Sequence, residues 1–388
     1  MEFRFTEEEE AFRREVRDFL KKEWTLGSVD LEEPGMYEEA RKFEKKMADR
    51  GWRTMHWPKE YGGQGASHMM QIILREEMAY VGARILDGQG VHMIGPCIMV
   101  HGTEEQKKRF LPPIAKCEVL WAQGFSEPNA GSDLASLQLK AVKDGDDYIL
   151  NGQKTWTSAG TRGDWVHVLA RTDPNAPKHR GISYFVVDMK SPGITIAPII
   201  NMAGRAGFTD TYFDDVRVPK EQMIGEENRG WYVAMTTLDF ERSSISFAAE
   251  SARTLEELIR YASETKRDGV PLMRDVVVRN KLAEMAIEIE VARLINYNVA
   301  WMQQKGLIPN YQASMAKTFG TELHQRLANT GVHLLGLYGG LDEKSKWAPL
   351  KGRIKYLYLW TVGETIYAGS NEIQRNIMAQ RGLGLPRE

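Results

Sequence analysis

Apolar residues recur at helical spacing near the start of the chain. Thr6 precedes four glutamates, Glu7 to Glu10, whose carboxylates are favourable in the first turn of a helix. The apolar positions that follow lie mostly three or four residues apart: Phe12, Val16, Phe19 and Leu20. This spacing predicts an amphipathic helix with one face turned toward a core.

Three further segments of this first zone are predicted to be helices, over 37–50, 70–81 and 103–115. Pro112 and Pro113 are expected to close the last of them, because proline does not continue a helix. We therefore expect an N-terminal helical domain over residues 1–120.

The pattern changes to short β-branched and aromatic runs between about residues 121 and 230. The predicted strands are 148–150, 165–170, 182–187, 193–196 and 211–218. Turn-forming residues separate them, and Asn151-Gly152 between apolar stretches is a hairpin signal. Strands at this spacing predict a small antiparallel barrel or sandwich, so we expect a middle β-barrel domain over 121–230.

From residue 231 the pattern is helical again. The segment 281–303 has no glycine or proline, and its apolar residues follow a 3.6-residue period, as in a bundle helix. A C-terminal domain over 231–388 is therefore expected to be a four-helix bundle. The predicted fold is mostly α-helical, with the β-barrel domain between two helical domains.

Composition excludes several classes of function. The 388 residues include 51 Lys and Arg against 53 Asp and Glu, so no basic excess favours nucleic acid as a partner. The two cysteines cannot form a disulfide framework. The acidic N-terminus does not resemble a signal peptide, and no apolar run approaches the ~20 residues that span a bilayer. We expect a cytoplasmic protein that does not insert into a membrane.

Common catalytic motifs are also missing. The sequence has no GxxxxGK[ST] phosphate loop and no GxGxxG between a strand and a helix. It has neither HExxH nor CxxC, so no metal site is expected. Gly124-Phe125-Ser126-Glu127-Pro128 lacks the second glycine of a nucleophile elbow.

Two segments remain as candidates for chemistry, 121–133 (WAQGFSEPNAGSD) and 151–160 (NGQKTWTSAG). The small residues of the first would let backbone amides and hydroxyls approach a planar or anionic ligand. In the second, Trp156 and Ser158 are two apart and would share one face of a strand, where they could contact an aromatic cofactor. From these residues alone, a β-turn loop with a core tryptophan is the alternative.

These segments resemble the FAD-dependent acyl-CoA dehydrogenase family, and the resemblance covers the whole chain. It includes the order of helical, barrel and helical zones, the EPNAGSD loop and NGQKTWTSAG. It extends to DDVRVP at 214–219 and to YAGSNEIQRNIMAQRGLGLP at 367–386. The resemblance implies FAD as cofactor, an acyl-CoA substrate and an electron-transfer flavoprotein as electron acceptor.

The resemblance also implies roles for individual residues of the two segments. Ser126 would hydrogen-bond the isoalloxazine ring, and Ser132 would lie between the flavin phosphate and the acyl-CoA. Trp156 would pack against the flavin, and Ser158 would donate near N5, where a donor stabilises the reduced ring. Phe125, directly before Ser126, belongs to the same flavin-binding set, although ordinary core packing is its alternative.

In the family, a carboxylate removes the α-proton of the thioester while the β-hydride passes to flavin N5. Many members place that glutamate directly after a tyrosine near the C-terminus, but here Tyr367 is followed by Ala368, which cannot take a proton. A smaller branch has the glutamate directly before an arginine at the start of the C-terminal bundle. Glu241-Arg242 matches this arrangement, so Glu241 is the expected base. Its alternative is a solvated helix residue.

The expected substrate-binding residues follow from the same matches. They are Ser132, Arg242, Tyr367, Ala368 and Gly369. In the family, the backbone N–H at the position of Ala368 polarises the thioester carbonyl, and an amide survives a change of side chain. The C-terminal segment also resembles relatives that act on steroid side chains and other bulky acyl-CoAs.

The residues that hold the adenine end of FAD for a neighbouring subunit depart from the family pattern. Thr265 and Asp268 stand in the Arg-x-x-Phe-Gly motif, and Leu337 replaces the last glycine of Gln-x-x-Gly-Gly. Two assemblies are compatible with this departure. Lys266 or Arg267 could substitute in a homotetramer, or the chain could be the base-bearing subunit of an α2β2 heterotetramer with a related subunit.

Two other functions compete with acyl-CoA dehydrogenation. A flavin monooxygenase or oxidase on the same fold would react the reduced flavin with oxygen. A non-catalytic subunit of a heteromeric dehydrogenase would show no turnover of its own.

Overall fold

The computed structural model describes residues 4–27, 35–236 and 244–386. Within them the chain packs as two compact units. A helical unit combines 4–27, 67–84 and 244–386, and a sheet unit combines 35–66 and 85–236.

The helical unit contains seven α-helices. They are α1 (Glu7–Glu23), α3 (His68–Val81), α7 (Ile245–Glu264), α8 (Val276–Gln304), α9 (Asn310–Leu335), α10 (Arg353–Glu364) and α11 (Asn371–Ile377). A short hairpin of β8 (Lys266–Arg267) and β9 (Val270–Pro271) joins α7 to α8. The helix predicted over 281–303 is confirmed as the central part of α8.

The predicted cap of α1 is also confirmed. The Thr6 hydroxyl accepts from the Glu9 N–H at 3.2 Å, and the Glu9 carboxylate accepts from the Thr6 N–H at 2.8 Å. This capping box satisfies two of the amides that a helix start leaves without partners. Buried leucine, isoleucine, methionine and alanine side chains of α7, α8 and α9 form the core of this unit.

A buried ionic cluster ties three helices of the same unit together. Arg13 on α1 lies 3.1 Å from Glu76 and 3.0 Å from Glu77, both on α3. Arg293 on α8 lies 2.8 Å from Glu76, and the Tyr297 hydroxyl donates to Glu76 at 2.6 Å. Because several partners share the charge of each glutamate, the three helices are fixed in one register.

The described residues of the sheet unit contain four α-helices and seven strands. The helices are α2 (Met36–Asp49), α4 (Gly95–His101), α5 (Glu104–Ala115) and α6 (Gly230–Met235). The strands are β1 (Trp121–Gly124), β2 (Lys140–Asp144), β3 (Asp147–Ser158), β4 (Trp165–Arg171), β5 (Ile182–Asp188), β6 (Ile194–Ile199) and β7 (Phe208–Pro219).

The sheet is mixed rather than purely antiparallel. Its path runs β1-β4-β2-β3-β7-β6, with β5 beside β4 and a further β1–β3 pairing. β1 and β4 are parallel, whereas β3–β7, β4–β5 and β6–β7 are antiparallel. Among the described strands, β5 pairs only with β4 and β6 only with β7, and the additional β1–β3 pairing joins β1, β4, β2 and β3 into a ring of four strands.

One local prediction was wrong. Asn151-Gly152 does not form a hairpin turn but lies inside β3, where the pairing with β7 shifts between Leu150 and Gly152. Asn151 hydrogen-bonds Asp215 on β7, so tertiary pairing overrides the turn propensity of the dipeptide. The helix predicted over 103–115 is confirmed as α5, which ends at Ala115, two residues after Pro113.

A buried charge network fixes the start of β1. The Arg53 guanidinium donates to Glu44 at 2.9 Å and to Asp87 at 2.8 Å, and the Asp87 carboxylate accepts from the Trp121 N–H at 2.9 Å. Burial raises the pKa of Asp87 to about 6, although Arg53 opposes the shift. The strand that leads into the first candidate segment therefore begins at a rigid point.

Candidate functional site

The first candidate segment leaves the sheet at the end of β1, and we call residues 125–133 the flavin-motif loop. A Cβ atom at Gly124 would lie 2.7 Å from Cγ1 of Val168, so only glycine fits between the strands. Glu127 and Ala130 exchange two backbone hydrogen bonds of 3.0 Å, which makes a tight turn. The Thr155 N–H donates to the Ser126 carbonyl at 2.9 Å and joins the loop to β3.

A buried ion pair that the sequence analysis missed holds this loop. The Lys154 ammonium on β3 donates to Glu127 Oε1 at 2.7 Å and to the Phe125 carbonyl at 3.0 Å. The Glu127 carboxylate also accepts from the N–H groups of Gln138 and Leu139, at 2.6 and 2.9 Å. One side chain from inside the loop thus organises the backbone on both sides of it.

The pair lies away from water. Lys154 is fully buried and Glu127 nearly so. Burial lowers the pKa of Lys154 to about 8, and the attraction of Glu127 opposes that shift. Both residues stand inside the two candidate motifs, so a lysine within a half-buried strand was the signal that could have found the pair.

Trp156 occupies an unusual position on β3. Its φ is +57°, in the left-handed region, and the pairing with β7 shifts between Lys154 and Thr157. The bulge turns the indole outward, where it is 53% exposed and meets Phe208 edge-to-face at 5.9 Å. The tryptophan is therefore not a core residue.

The serine hydroxyls of the two motifs are available to a ligand. Ser126 and Ser158 are half-buried and Ser132 is exposed, and none of their hydroxyls has a hydrogen-bond partner in the part of the chain that the structure describes. Together with the exposed indole of Trp156, they offer an aromatic face and polar hydrogens on one unit. This set fits a ligand with a planar ring that carries carbonyl and nitrogen acceptors and with phosphate groups on an attached chain. FAD is such a ligand.

Phe125 is held by neighbouring aromatic rings. It lies edge-to-face with His167 at 5.4 Å and with Tyr184 at 5.9 Å. A hydrogen bond of 2.7 Å joins Nδ1 of His167 to the Tyr184 hydroxyl. Burial lowers the pKa of His167 to about 3. Packing accounts for the contacts of Phe125, so its assignment to the flavin-binding set stays a prediction.

The second group of expected site residues lies in the helical unit, between α10 and α11. We call residues 365–370 the thioester loop. Ala368 and Gly369 both have positive φ, +53° and +78°, and neither backbone N–H has an acceptor among the described residues. Tyr367 precedes them and is 41% exposed. Free amides in a left-handed turn can donate to an oxygen that a ligand brings.

Glu241 and Arg242 fall in residues 237–243, outside the described residues. Their predicted roles therefore stay predictions. The residues that depart from the family's adenine-binding motifs do lie within the described ranges. Asp268 and Gly269 form the tight turn between β8 and β9, with φ of +53° and +81°. Leu337 is 98% exposed.

No group of three or more His, Cys, Asp or Glu side chains is placed to hold a metal ion in 4–27, 35–236 or 244–386. None of the helices in those ranges is both long and apolar enough to cross a membrane.

Comparison with protein families matches almost the whole chain in three consecutive parts. Residues 6–118 match the N-terminal domain of acyl-CoA dehydrogenase, 122–216 its middle domain and 228–383 its C-terminal domain.

Individual relatives agree. Acyl-CoA dehydrogenase FadE26 of Mycobacterium tuberculosis is 38% identical over 100% of this chain and 99% of its own length. The ChsE4-ChsE5 complex of M. tuberculosis superposes with a TM-score of 0.90 at 38% identity, covering all of both chains. The Tcur3481-Tcur3483 steroid ACAD gives 0.89 at 34% identity with the same coverage. The chain belongs to the acyl-CoA dehydrogenase family and is an FAD-dependent oxidoreductase.

Proposed function

We propose that the protein dehydrogenates the α,β bond of an acyl-CoA thioester, with Glu241 as the base. The observation that carries this proposal is the thioester loop. Its amides at Ala368 and Gly369 are free to bind a carbonyl oxygen, while the side chain at residue 368 is a methyl group that cannot take a proton. The carboxylate that the reaction needs must therefore come from another position.

Glu241 is the residue proposed for that position. It removes the α-proton, and the amide of Ala368 stabilises the negative charge that develops on the thioester oxygen. Arg242, Tyr367 and Gly369 bind the substrate beside these groups. When bound, FAD supplies the acceptor for the hydride that leaves the β-carbon.

The sheet unit supplies the proposed flavin site. Ser126 and Ser158 donate to the polar edge of the ring, and Trp156 covers one of its faces. Ser132 lies between the cofactor phosphate and the substrate. Their free hydroxyls and the outward indole support these assignments, and Phe125 acts through the position of the Ser126 backbone.

The substrate class that we propose is a bulky, cyclic or branched acyl-CoA. Two observations support it. Alanine at residue 368 leaves more room beside the thioester than the glutamate of many relatives, and a similar solved structure is described as a steroid acyl-CoA dehydrogenase. We propose an electron-transfer flavoprotein as the physiological electron acceptor.

We further propose that this chain assembles with a related subunit into an α2β2 heterotetramer. Helix α8 has a stripe of outward apolar side chains that recur at intervals of four, three and seven residues: Ile287, Val291, Leu294 and Trp301. Such a stripe is typical of a helix packed against another. The exposed Leu337 and the hairpin turn at Asp268 leave the adenine end of FAD to groups that a related subunit provides, and two similar solved structures are two-protein complexes.

The central test is anaerobic single-turnover reduction of the flavin by a panel of acyl-CoAs. Glu241→Gln should lower the reduction rate about 10²-fold or more while substrate still binds, in the range of general-base contributions. Near-normal reduction in that variant would remove Glu241 from the role. Rapid reoxidation by air of the substrate-reduced protein would favour the oxidase or monooxygenase alternative.

The assembly is tested by measuring bound FAD per chain. Expressed alone, the chain should hold little FAD, and co-expression with a related subunit should restore it. Full occupancy in the chain alone would favour the homotetramer. A colourless protein in every assembly would indicate the non-catalytic subunit.

A further inference from the structure

The thioester loop is closed at its neck but free at its tip. The Asn371 N–H donates to the Thr365 carbonyl at 2.9 Å, and the N–H groups of Ile366 and Tyr367 donate to the Gly363 carbonyl at 2.9 and 3.0 Å. At the tip, the hydrogen bonds that the described residues make to Ala368 and Gly369 come from the Gln374 side chain, which donates to the Ala368 carbonyl at 3.1 Å and to the Gly369 carbonyl at 3.4 Å. The direction of the Ala368 N–H therefore depends on where the two ends of the loop are held.

A buried acid–base pair holds the first end. Glu364, the last residue of α10, is 2% exposed, and its carboxylate lies 2.9 Å from Nδ1 of His324 on α9. A carboxylate at a helix C-terminus faces the negative end of the dipole, so it needs a cation or a donor. His324 is 1% exposed, and its Nε2 has no partner in the described chain, so Glu364 is the group that orients the ring.

A second buried network holds the other end. Asn371, the first residue of α11, accepts from the Lys317 ammonium at 2.9 Å and exchanges hydrogen bonds of 3.2 and 3.3 Å with the Thr321 hydroxyl. Its amide also donates to Glu322 at 3.1 Å. Lys317, Thr321 and Glu322 all belong to α9.

Both ends therefore rest on one helix. Lys317, Thr321 and His324 follow each other at spacings of four and three residues, so they line one face of α9. A straight helix fixes the distance between its own side chains, and it therefore fixes the separation of residues 364 and 371. The loop between them has left-handed residues at its tip and cannot relax freely.

We propose that His324 and Lys317 are positioning residues that aim the backbone amide of Ala368 at the thioester carbonyl. This inference rests on the proposed function of that amide. A buried pair such as His324–Glu364 gains little stability over well-packed apolar side chains. The pair instead fixes the position of Glu364, where the thioester loop begins.

The charges around His324 come from two other helices, α7 and α10. Burial alone would lower its pKa, but Glu364 on α10 and Glu250 on α7 outweigh burial, with Arg353 on α10 opposing them, so the pKa is raised. The imidazolium form then gives Glu364 a charge-assisted hydrogen bond.

The test compares two probes bound to the FAD-loaded protein in its native assembly. One is an acyl-CoA thioester, and the other is the S-alkyl-CoA thioether of the same chain length, which has no carbonyl. Wild-type protein should prefer the thioester. His324→Leu should reduce that preference about tenfold, the scale of one hydrogen bond. His324→Asn keeps a donor near Nδ1 and should preserve most of it.

Hydrogen exchange of residues 366–370 gives a readout independent of binding, and it should accelerate in His324→Leu. The matched control is Arg326→Gln. Arg326 lies on another face of α9, where it forms an ion pair with Glu288 of α8, so its loss should change neither measurement. Equal weakening of both probes, or an unchanged preference in His324→Leu, would overturn the inference alone. If the wild-type protein does not prefer the thioester, the proposed role of the Ala368 amide fails as well.

Discussion

The flavin-motif loop and the thioester loop are both irregular segments fixed by buried charges, but they are held in different ways. The first is fixed from inside, because Glu127 belongs to the loop and reaches Lys154 and two backbone amides. The second is held at its ends, by His324 and Lys317 of α9. A loop fixed from inside keeps its own shape, whereas a loop held at its ends keeps the shape that its support imposes.

The two ion pairs also respond to pH in opposite directions. Lys154 has a lowered pKa because burial is stronger than the attraction of its single carboxylate. His324 has a raised pKa because its carboxylates outweigh burial. This contrast gives each loop its own signature in stability measurements.

The largest expected effect is on the flavin-motif loop. Lys154→Met leaves the Glu127 carboxylate nearly buried without a cation, so we expect the free energy of unfolding to fall by about 3–5 kcal/mol. Denaturant unfolding measures this. Adding Glu127→Gln should recover part of the loss. As a control, Arg217→Met breaks exposed pairs to Asp144 and Asp147 and should leave the free energy of unfolding almost unchanged. Equal losses in the two single variants would contradict the distinction.

The next effect is the pH dependence. Lys154 binds fewer protons in the folded than in the unfolded state between pH 8 and 10.5, so unfolding free energy should rise there by roughly 3 kcal/mol. The stabilisation from His324 is complete below the ordinary histidine pKa and is lost as pH rises through the raised folded value. Denaturant unfolding measured across pH checks both effects. The rise in unfolding free energy above pH 8 should disappear in Lys154→Met, and the fall above the ordinary histidine pKa should disappear in His324→Asn. A variant that keeps its slope would show that another group causes it.

A smaller change is expected at Trp156. Its ring is half exposed and its described ring contact is the edge of Phe208, so Trp156→Ala should lower unfolding free energy by about 1 kcal/mol. FAD retention during dialysis should fall much more than this, because the proposed flavin contact is lost. Retention equal to wild type would remove the indole from the flavin site. Trp165→Phe, in the aromatic cluster with Trp121, is the control for a general loss of packing.

The smallest effect is at the tip of the thioester loop. Ala368→Gly removes the strain of an alanine at positive φ but adds freedom to the unfolded chain, so we expect a gain of about 0.5 kcal/mol. Gly369→Ala should have the opposite sign, since its Cβ would lie 2.6 Å from the Gln374 amide nitrogen. Thermal melting of the two variants checks the pair. A loss in the first or a gain in the second would be inconsistent with the described tip.

Residues that are close in sequence were predictable, and those brought together by folding were not. The continuous period of 281–303 predicted α8. The family resemblance of the compact motifs around Ser126 and Trp156 led to the proposed flavin half of the site. The hairpin signal at Asn151 failed because β7 offers that residue a better partner. His324 and Glu364 are forty residues apart on two helices, and nothing local marks them as a pair. Only the fold brings them within hydrogen-bond distance.

The outward stripe of α8 has a practical consequence for anyone who purifies the protein. At high dilution, α8 exposes Ile287 and Leu294 to water. Binding of another chain over these side chains stabilises the folded state. The melting temperature should therefore depend on protein concentration, and the chain produced by itself should precipitate more readily than the assembled enzyme. The dependence of melting temperature and precipitation on protein concentration therefore indicates whether the apolar stripe of α8 is covered.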